Sequence, residues 1–81
     1  MNTIIWTKPG CPACRKTKLF LMSKGLKYEE RVIGDGWTRE QFFEAHPNAN
    51  TVPQITIHGE SVGGYTQMLK YAEDHGMWTS E

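Results

Sequence analysis

Cys11-Pro12-Ala13-Cys14 lies where a strand-forming run gives way to a helix, and that junction restricts what the chain can fold into. Thr3 to Thr7 (Thr-Ile-Ile-Trp-Thr) carries bulky residues on both parities of a period-two pattern, which suits a central strand covered on both faces. Lys8-Pro9-Gly10 breaks that strand. Pro12 fits a first helical position, where the missing N–H leaves nothing unpaired and the ring fixes a helical φ. The helix it opens is expected to run to about Lys24, with Cys14, Thr17 and Leu21 facing the core, Phe20 alongside and Gly25 as the left-handed terminator.

The remaining elements follow from local signals. Tyr28 to Ile33 reads as a second strand. Thr38 and Gln41 have the spacing of a capping box, with Trp37 and Phe42 at the staple positions, so a second helix starts there and stops before Pro47. Gln54 to His58, a turn at Gly59-Glu60, and Ser61 to Gly63 form an expected antiparallel hairpin. Gly64 to Asp74 supplies a third helix, with Tyr65, Met68, Leu69 and Ala72 inward and Gly76 at its end. The order is β-α-β-α-β-β-α.

At 81 residues the chain is expected to be a single domain, 1–81, burying roughly 60 to 65% of its unfolded surface. It has neither a signal-peptide pattern nor about 20 consecutive apolar residues, so the expectation is a cytoplasmic protein without a membrane partner. A formal net charge of zero argues against nucleic acid, which demands a broad basic face. The charge is nevertheless uneven. Residues 8 to 31 hold seven of the nine Lys and Arg, around the two cysteines. Trp6, Phe20, Phe42 and Phe43 are assigned to core packing rather than base stacking. Trp78 follows the third helix in a short tail.

Two cysteines at this spacing can form a structural disulfide, half of a metal site, or a redox pair. A bridge across two residues closes too short a loop to stabilise much. Tetrahedral zinc needs two more ligands, and His46, His58 and His75 are scattered at unhelpful spacings, His75 being explained by its place in the last helical turn. No metal is expected. The redox reading has a physical cause: a cysteine just before a helix aims its sulfur at unpaired N–H groups and the positive dipole end, which favours thiolate. Cys11 is thus the expected nucleophile, with Lys8, Arg15 and Lys16 nearby in sequence. Cys14, nearly one turn inside on the core-facing stripe, is the expected resolving thiol.

Three separated segments coincide with one family: Cys11-Pro12-Ala13-Cys14, Thr51-Val52-Pro53-Gln54-Ile55, and Gly63-Gly64-Tyr65-Thr66. Together they make the chain resemble a glutaredoxin, most of all the short bacterial and phage dithiol members that reduce ribonucleotide reductase. The resemblance implies a thioredoxin-like α/β fold with a mixed four-stranded sheet flanked by three helices, and glutathione as reductant. It also implies a cis Pro53 beside the cysteines, leaving the Val52 backbone free to pair strand-like with a bound peptide. By the same resemblance Lys8 faces the glycine carboxylate of glutathione and Gly63-Gly64 lets the ligand backbone approach. Thr66 helps hold the γ-glutamyl carboxylate at a helix start, and Tyr65 lines the groove or packs beneath the third helix. Arg39 offers a further cation.

Two residues depart from the family pattern. Ala13 stands where many dithiol members have an aromatic residue, and Gln67 where an acidic residue commonly faces the glutathione amine. The expected function is therefore a monomeric, glutathione-dependent dithiol oxidoreductase acting on protein disulfides such as that of ribonucleotide reductase, or on glutathione mixed disulfides. A thioredoxin-like redoxin recharged by a flavoprotein reductase is the alternative within the same chemistry. An iron–sulfur-bridged dimer is the alternative of another class, and Pro12 argues against it.

Overall fold

β1 (Thr3–Thr7) is buried on both faces, with Ile5 and Trp6 pointing oppositely and each at most 2% exposed, and it forms the middle of the sheet. The computed structural model describes residues 3–74. Within them β1 is followed by α1 (Pro12–Ser23), β2 (Glu29–Ile33), β3 (Gly36–Trp37), α2 (Arg39–Ala45), β4 (Gln54–Ile57), β5 (Glu60–Gly63) and α3 (Tyr65–Asp74). The sheet order is β3-β2-β1-β4-β5. β2 runs parallel to β1, with Ile5 opposite Glu30, and β4 runs antiparallel to it, with Ile5 opposite Ile55.

The four strands expected from sequence are present, and a fifth of two residues joins them. β3 pairs in parallel with the end of β2, Val32 opposite Gly36 and Ile33 opposite Trp37. The chain loops back beside β2 and resumes its direction with Gly34 (φ 93°) in the link and Gly36 (φ 97°) opening β3, a conformation that only a residue without a β-carbon tolerates readily. The β4-β5 turn is also shifted by one residue. Its central pair is His58 and Gly59, both at positive φ, so Glu60 begins β5 instead of ending the turn.

Each face of the sheet has its own cover. Ile5, Ile55 and Ile57 meet Leu21 of α1 and Met68 of α3, with Phe20, Leu26, Tyr65 and Leu69 packed around this core. Trp6, on the opposite face, meets Trp37 and Phe42 edge-on at centroid distances of 5.3 and 5.6 Å. Phe43 does not join them. It is 43% exposed, because adjacent helical residues diverge by about 100° and Phe42 already takes the sheet-facing direction of this seven-residue helix. α2 starts as its sequence directs: Thr38 Oγ1 accepts the Gln41 N–H, and Gln41 Oε1 accepts the Thr38 N–H. Expectations for His75, Gly76 and Trp78 fall outside the described residues.

A polar cluster ties α1 to the strands. Glu30 of β2 accepts hydrogen bonds from Thr7 Oγ1 at 2.8 Å and from Lys18 Nζ at 3.0 Å. Burial pushes the Glu30 pKa up, but the Lys18 and Thr7 hydrogen bonds and the Lys18 charge outweigh it and hold the group below its usual value. A carboxylate with a depressed folded-state pKa contributes stability above its unfolded pKa and loses it as pH falls through the folded one. Glu30→Gln keeps an acceptor oxygen but removes the charge of a partly exposed pair, and is therefore expected to cost about 0.5 to 1 kcal/mol at pH 7. Urea titrations of both proteins should show that difference shrinking below the usual carboxylate range.

Candidate active site

β1 delivers the chain to Lys8, Pro9 and Gly10, and Gly10 at φ 73° turns it into α1. Cys11 is the N-cap of that helix in extended conformation, and Pro12 is its first residue. The Cys11 sulfur sits where a capping oxygen normally would: the Cys14 N–H donates to Sγ at 3.1 Å. Cys11 and Cys14 are joined as a disulfide, with Cα atoms 5.2 Å apart. Their environments differ. Cys11 is half-buried, whereas Cys14 is 3% exposed and belongs to the buried stripe with Thr17 and Leu21.

The second segment comes from the other side of the sheet. The Val52–Pro53 peptide bond is cis, and Val52 O lies 3.9 Å from Cys11 Sγ. Pro53 is buried directly before β4, so the strand that pairs with β1 also fixes this loop against the cysteines.

The third segment is brought up to Pro53 by β5 and α3. A β-carbon at Gly64 would lie 3.4 Å from Pro53 O, and one at Gly63, whose φ is 97°, would lie 3.0 Å from Gln67 Cβ. Gly63 therefore favours glycine through both its φ and the close approach of Gln67, whereas Gly64 sits at ordinary contact distance from the Pro53 carbonyl. Gly64 caps α3, its carbonyl accepting the Met68 N–H at 2.8 Å, while its own N–H donates to Gln67 Oε1 at 3.1 Å. Gln67, the departure noted in the sequence, thus serves as the back-bonding partner of a helix cap. Thr66 is exposed in the first turn of α3. Tyr65 is half-buried and packs against the central apolar core.

Beside Val52 is a cleft of about 220 Å³ lined by Lys8, Ile33, Arg39, Phe43, Thr51 and Val52 among others. Its two cations lie 31 positions apart in sequence and come from the β1 exit and the first turn of α2. Arg39 and the exposed Phe43 join the site through α2, and neither has a local sequence signal that would single it out. The described residues contain no group of three or more His, Cys, Asp or Glu placed to hold a metal ion, and no helix long and apolar enough to cross a membrane.

Fold and cysteine pair together define a thiol–disulfide oxidoreductase on a thioredoxin-like scaffold. Residues 3–62 match the family model for Glutaredoxin, and the chain belongs to the glutaredoxin family. It is 39% identical to Glutaredoxin 3 of Escherichia coli strain K12 over 64 residues, 78% of this chain and 76% of that protein. It is 43% identical over 67 residues to the hybrid peroxiredoxin hyPrx5 of Haemophilus influenzae, covering 83% of this chain but only 27% of that longer protein. Among solved structures, Glutaredoxin 1 of Francisella tularensis superposes with a TM-score of 0.74 at 30% identity, covering 93% of this chain and 94% of that one.

In the reduced protein a sulfur in this capping position gains most when it is anionic, because the N–H donor and the dipole end both favour negative charge. The Cys11 pKa is expected to fall below the free-thiol value of about 8.5. Rates of iodoacetamide alkylation against pH, with the modified residue located by mass spectrometry, should give a midpoint clearly below that value for Cys11. A midpoint at or above it contradicts the capping argument.

Proposed function

We propose that this chain is a glutathione-recharged dithiol oxidoreductase in which Cys11 attacks and Cys14 resolves. The observation that carries the proposal is the cleft holding Lys8 and Arg39 beside Val52, whose carbonyl approaches the Cys11 sulfur. Two cations over an apolar floor suit a small thiol bearing a terminal carboxylate, and glutathione is such a thiol. In this reading Lys8 and Arg39 take its glycine carboxylate and the Val52 backbone pairs with its cysteine. Gly63 and Gly64 admit its backbone, the start of α3 at Thr66 faces the γ-glutamyl carboxylate, and Tyr65 supports that wall from the core side.

The cycle starts from the dithiol. Cys11 thiolate attacks one sulfur of a substrate disulfide, the substrate S–S bond breaks, and the departing thiolate takes a proton. Cys14 then loses its proton and attacks Cys11 Sγ, expelling the second substrate thiolate and leaving the Cys11–Cys14 disulfide, the state seen here. Two glutathione thiols restore the dithiol. The first opens the disulfide by forming a mixed disulfide with Cys11, and the second releases it as glutathione disulfide, so two electrons enter for every two that leave. Cys14 burial makes its thiolate costly until the mixed disulfide forms within reach, which favours resolution over a competing first attack.

The protein is proposed to work as a cytoplasmic monomer on protein disulfides, ribonucleotide reductase among them, and on glutathione mixed disulfides. An assay coupling glutathione, glutathione reductase and a small glutathione mixed disulfide tests the reading. Turnover is expected, with Lys8→Ala and Arg39→Ala each raising the KM for glutathione by about 3- to 30-fold, the range for losing one charge-assisted contact in a solvent-open site. No turnover with glutathione, together with rapid reduction by a flavoprotein thioredoxin reductase, reverses it in favour of a thioredoxin-like redoxin.

A further inference from the structure

A second, larger cleft adjoins the first and has no part in the scheme above. It encloses about 530 Å³ between the end of α2, the loop from Pro47 to Thr51, and the outer edge of the sheet at Ser61. Asn50 and Thr51 line both clefts, so the two are joined on the segment that leads directly to Val52 and the Cys11 sulfur.

The lining of this second cleft mixes amide, hydroxyl and imidazole groups with Ala45, Pro47 and Ala49, and carries no Lys, Arg, Asp or Glu. Asn48, Asn50 and Thr51 are exposed, and Gln54 reaches from β4 to donate its Nε2 to Thr51 O at 2.9 Å, bracing the loop. His46 forms the floor. It is 6% exposed, packs against the Phe42 ring, and lies with Nδ1 3.3 Å from Ser61 Oγ on the opposite wall. Burial lowers its pKa, so it stays neutral with the rest of the lining.

We infer that this cleft is a subsite for the polypeptide of a disulfide substrate, taking an extended, uncharged stretch of chain beyond the reacting cysteine. Amide and hydroxyl groups without formal charge match peptide N–H and C=O groups and small polar side chains, whereas an ionic partner would find no counter-charge there. The spacing suits such an occupant. An extended chain advances about 3.3 Å per residue, so a substrate whose cysteine sits at Cys11 places its next residues against Val52 and Thr51 and roughly the following two to four in the cleft. Glutathione has only one residue on either side of its cysteine and ends in the first cleft on this layout. The protein therefore has a means of favouring protein disulfides that leaves its reaction with small disulfides untouched. This inference rests on the reading of Cys11 as the attacking sulfur, and not on which reductant recharges the pair.

The test is a single-turnover reaction of the reduced protein with two synthetic peptides. Each holds one internal disulfide with the same loop, one flanked by two uncharged residues on either side and the other by seven. The pre-reduced protein supplies both electrons, and acid quenching with thiol alkylation counts the peptide thiols formed. The long peptide should react about tenfold faster at sub-saturating concentration, the effect of one or two neutral hydrogen bonds. Asn48→Trp, a change at an exposed loop residue that fills the cleft, should bring the long peptide down to the rate of the short one and leave the short one unchanged. Equal rates for both peptides in the unsubstituted protein, or equal slowing of both by Asn48→Trp, overturn the subsite. No reaction with either peptide overturns the assignment of Cys11 and the subsite with it.

Discussion

The sulfur of Cys11 takes the place of a helix-capping oxygen, and the site is organised around that single contact. An unpaired N–H at the start of α1 needs an acceptor, and the Cys14 N–H finds it in Cys11 Sγ at 3.1 Å. Structural need and redox chemistry thus fall on one atom, since the donor that completes the helix also stabilises negative charge on the sulfur. Pro12 contributes by starting the helix without adding another donor that would need a partner. The position of the helix is in turn set by β1, which is held on both sides by strand pairing and on both faces by side chains.

From that frame the asymmetry of the two cysteines follows without further devices. α1 buries its Cys14-Thr17-Leu21 stripe against a face that also packs α3, so Cys14 is removed from water while Cys11 remains at the rim. The opposite face, with Trp6, Trp37 and Phe42, carries α2 and with it Arg39 and Phe43. One face thereby fixes the reactive pair. The other supplies the walls of the clefts that lead to it. Arg31 strengthens this second layer, its guanidinium lying 4.3 Å from the Trp37 ring centroid while Glu29 holds it at 2.8 Å.

Features decided within a few residues were legible in the sequence. The Thr38 to Gln41 capping box, the Pro12 helix start, the stripe from Cys14 to Leu21 and the family motifs all depend on short spacings, and the structure bears out the helices and strands they foretell. Features decided by distant partners were not. β3 is two residues long and exists because β2 offers it an edge. His58 adopts positive φ to close a two-residue turn demanded by the pairing of Ile57 with Glu60; histidine enters that region more readily than most side chains, but the strand pairing selects it here. Phe43 looks like core from its composition and is exposed because its neighbour already faces the sheet. Lys8 and Arg39 meet only once the sheet is assembled, and so the second cation of the cleft could be suggested from sequence but not placed.

The proposed division of labour sets a capped, accessible Cys11 against a buried Cys14. Trapping each cysteine alone separates the two roles. Reduced Cys14→Ser and Cys11→Ser proteins, exposed to glutathione disulfide and analysed by intact mass and peptide mapping, should differ sharply: rapid glutathione adduction on Cys11 in the first, and little or none on Cys14 in the second. Comparable adduction of both cysteines, or faster adduction of Cys14, would overturn that division.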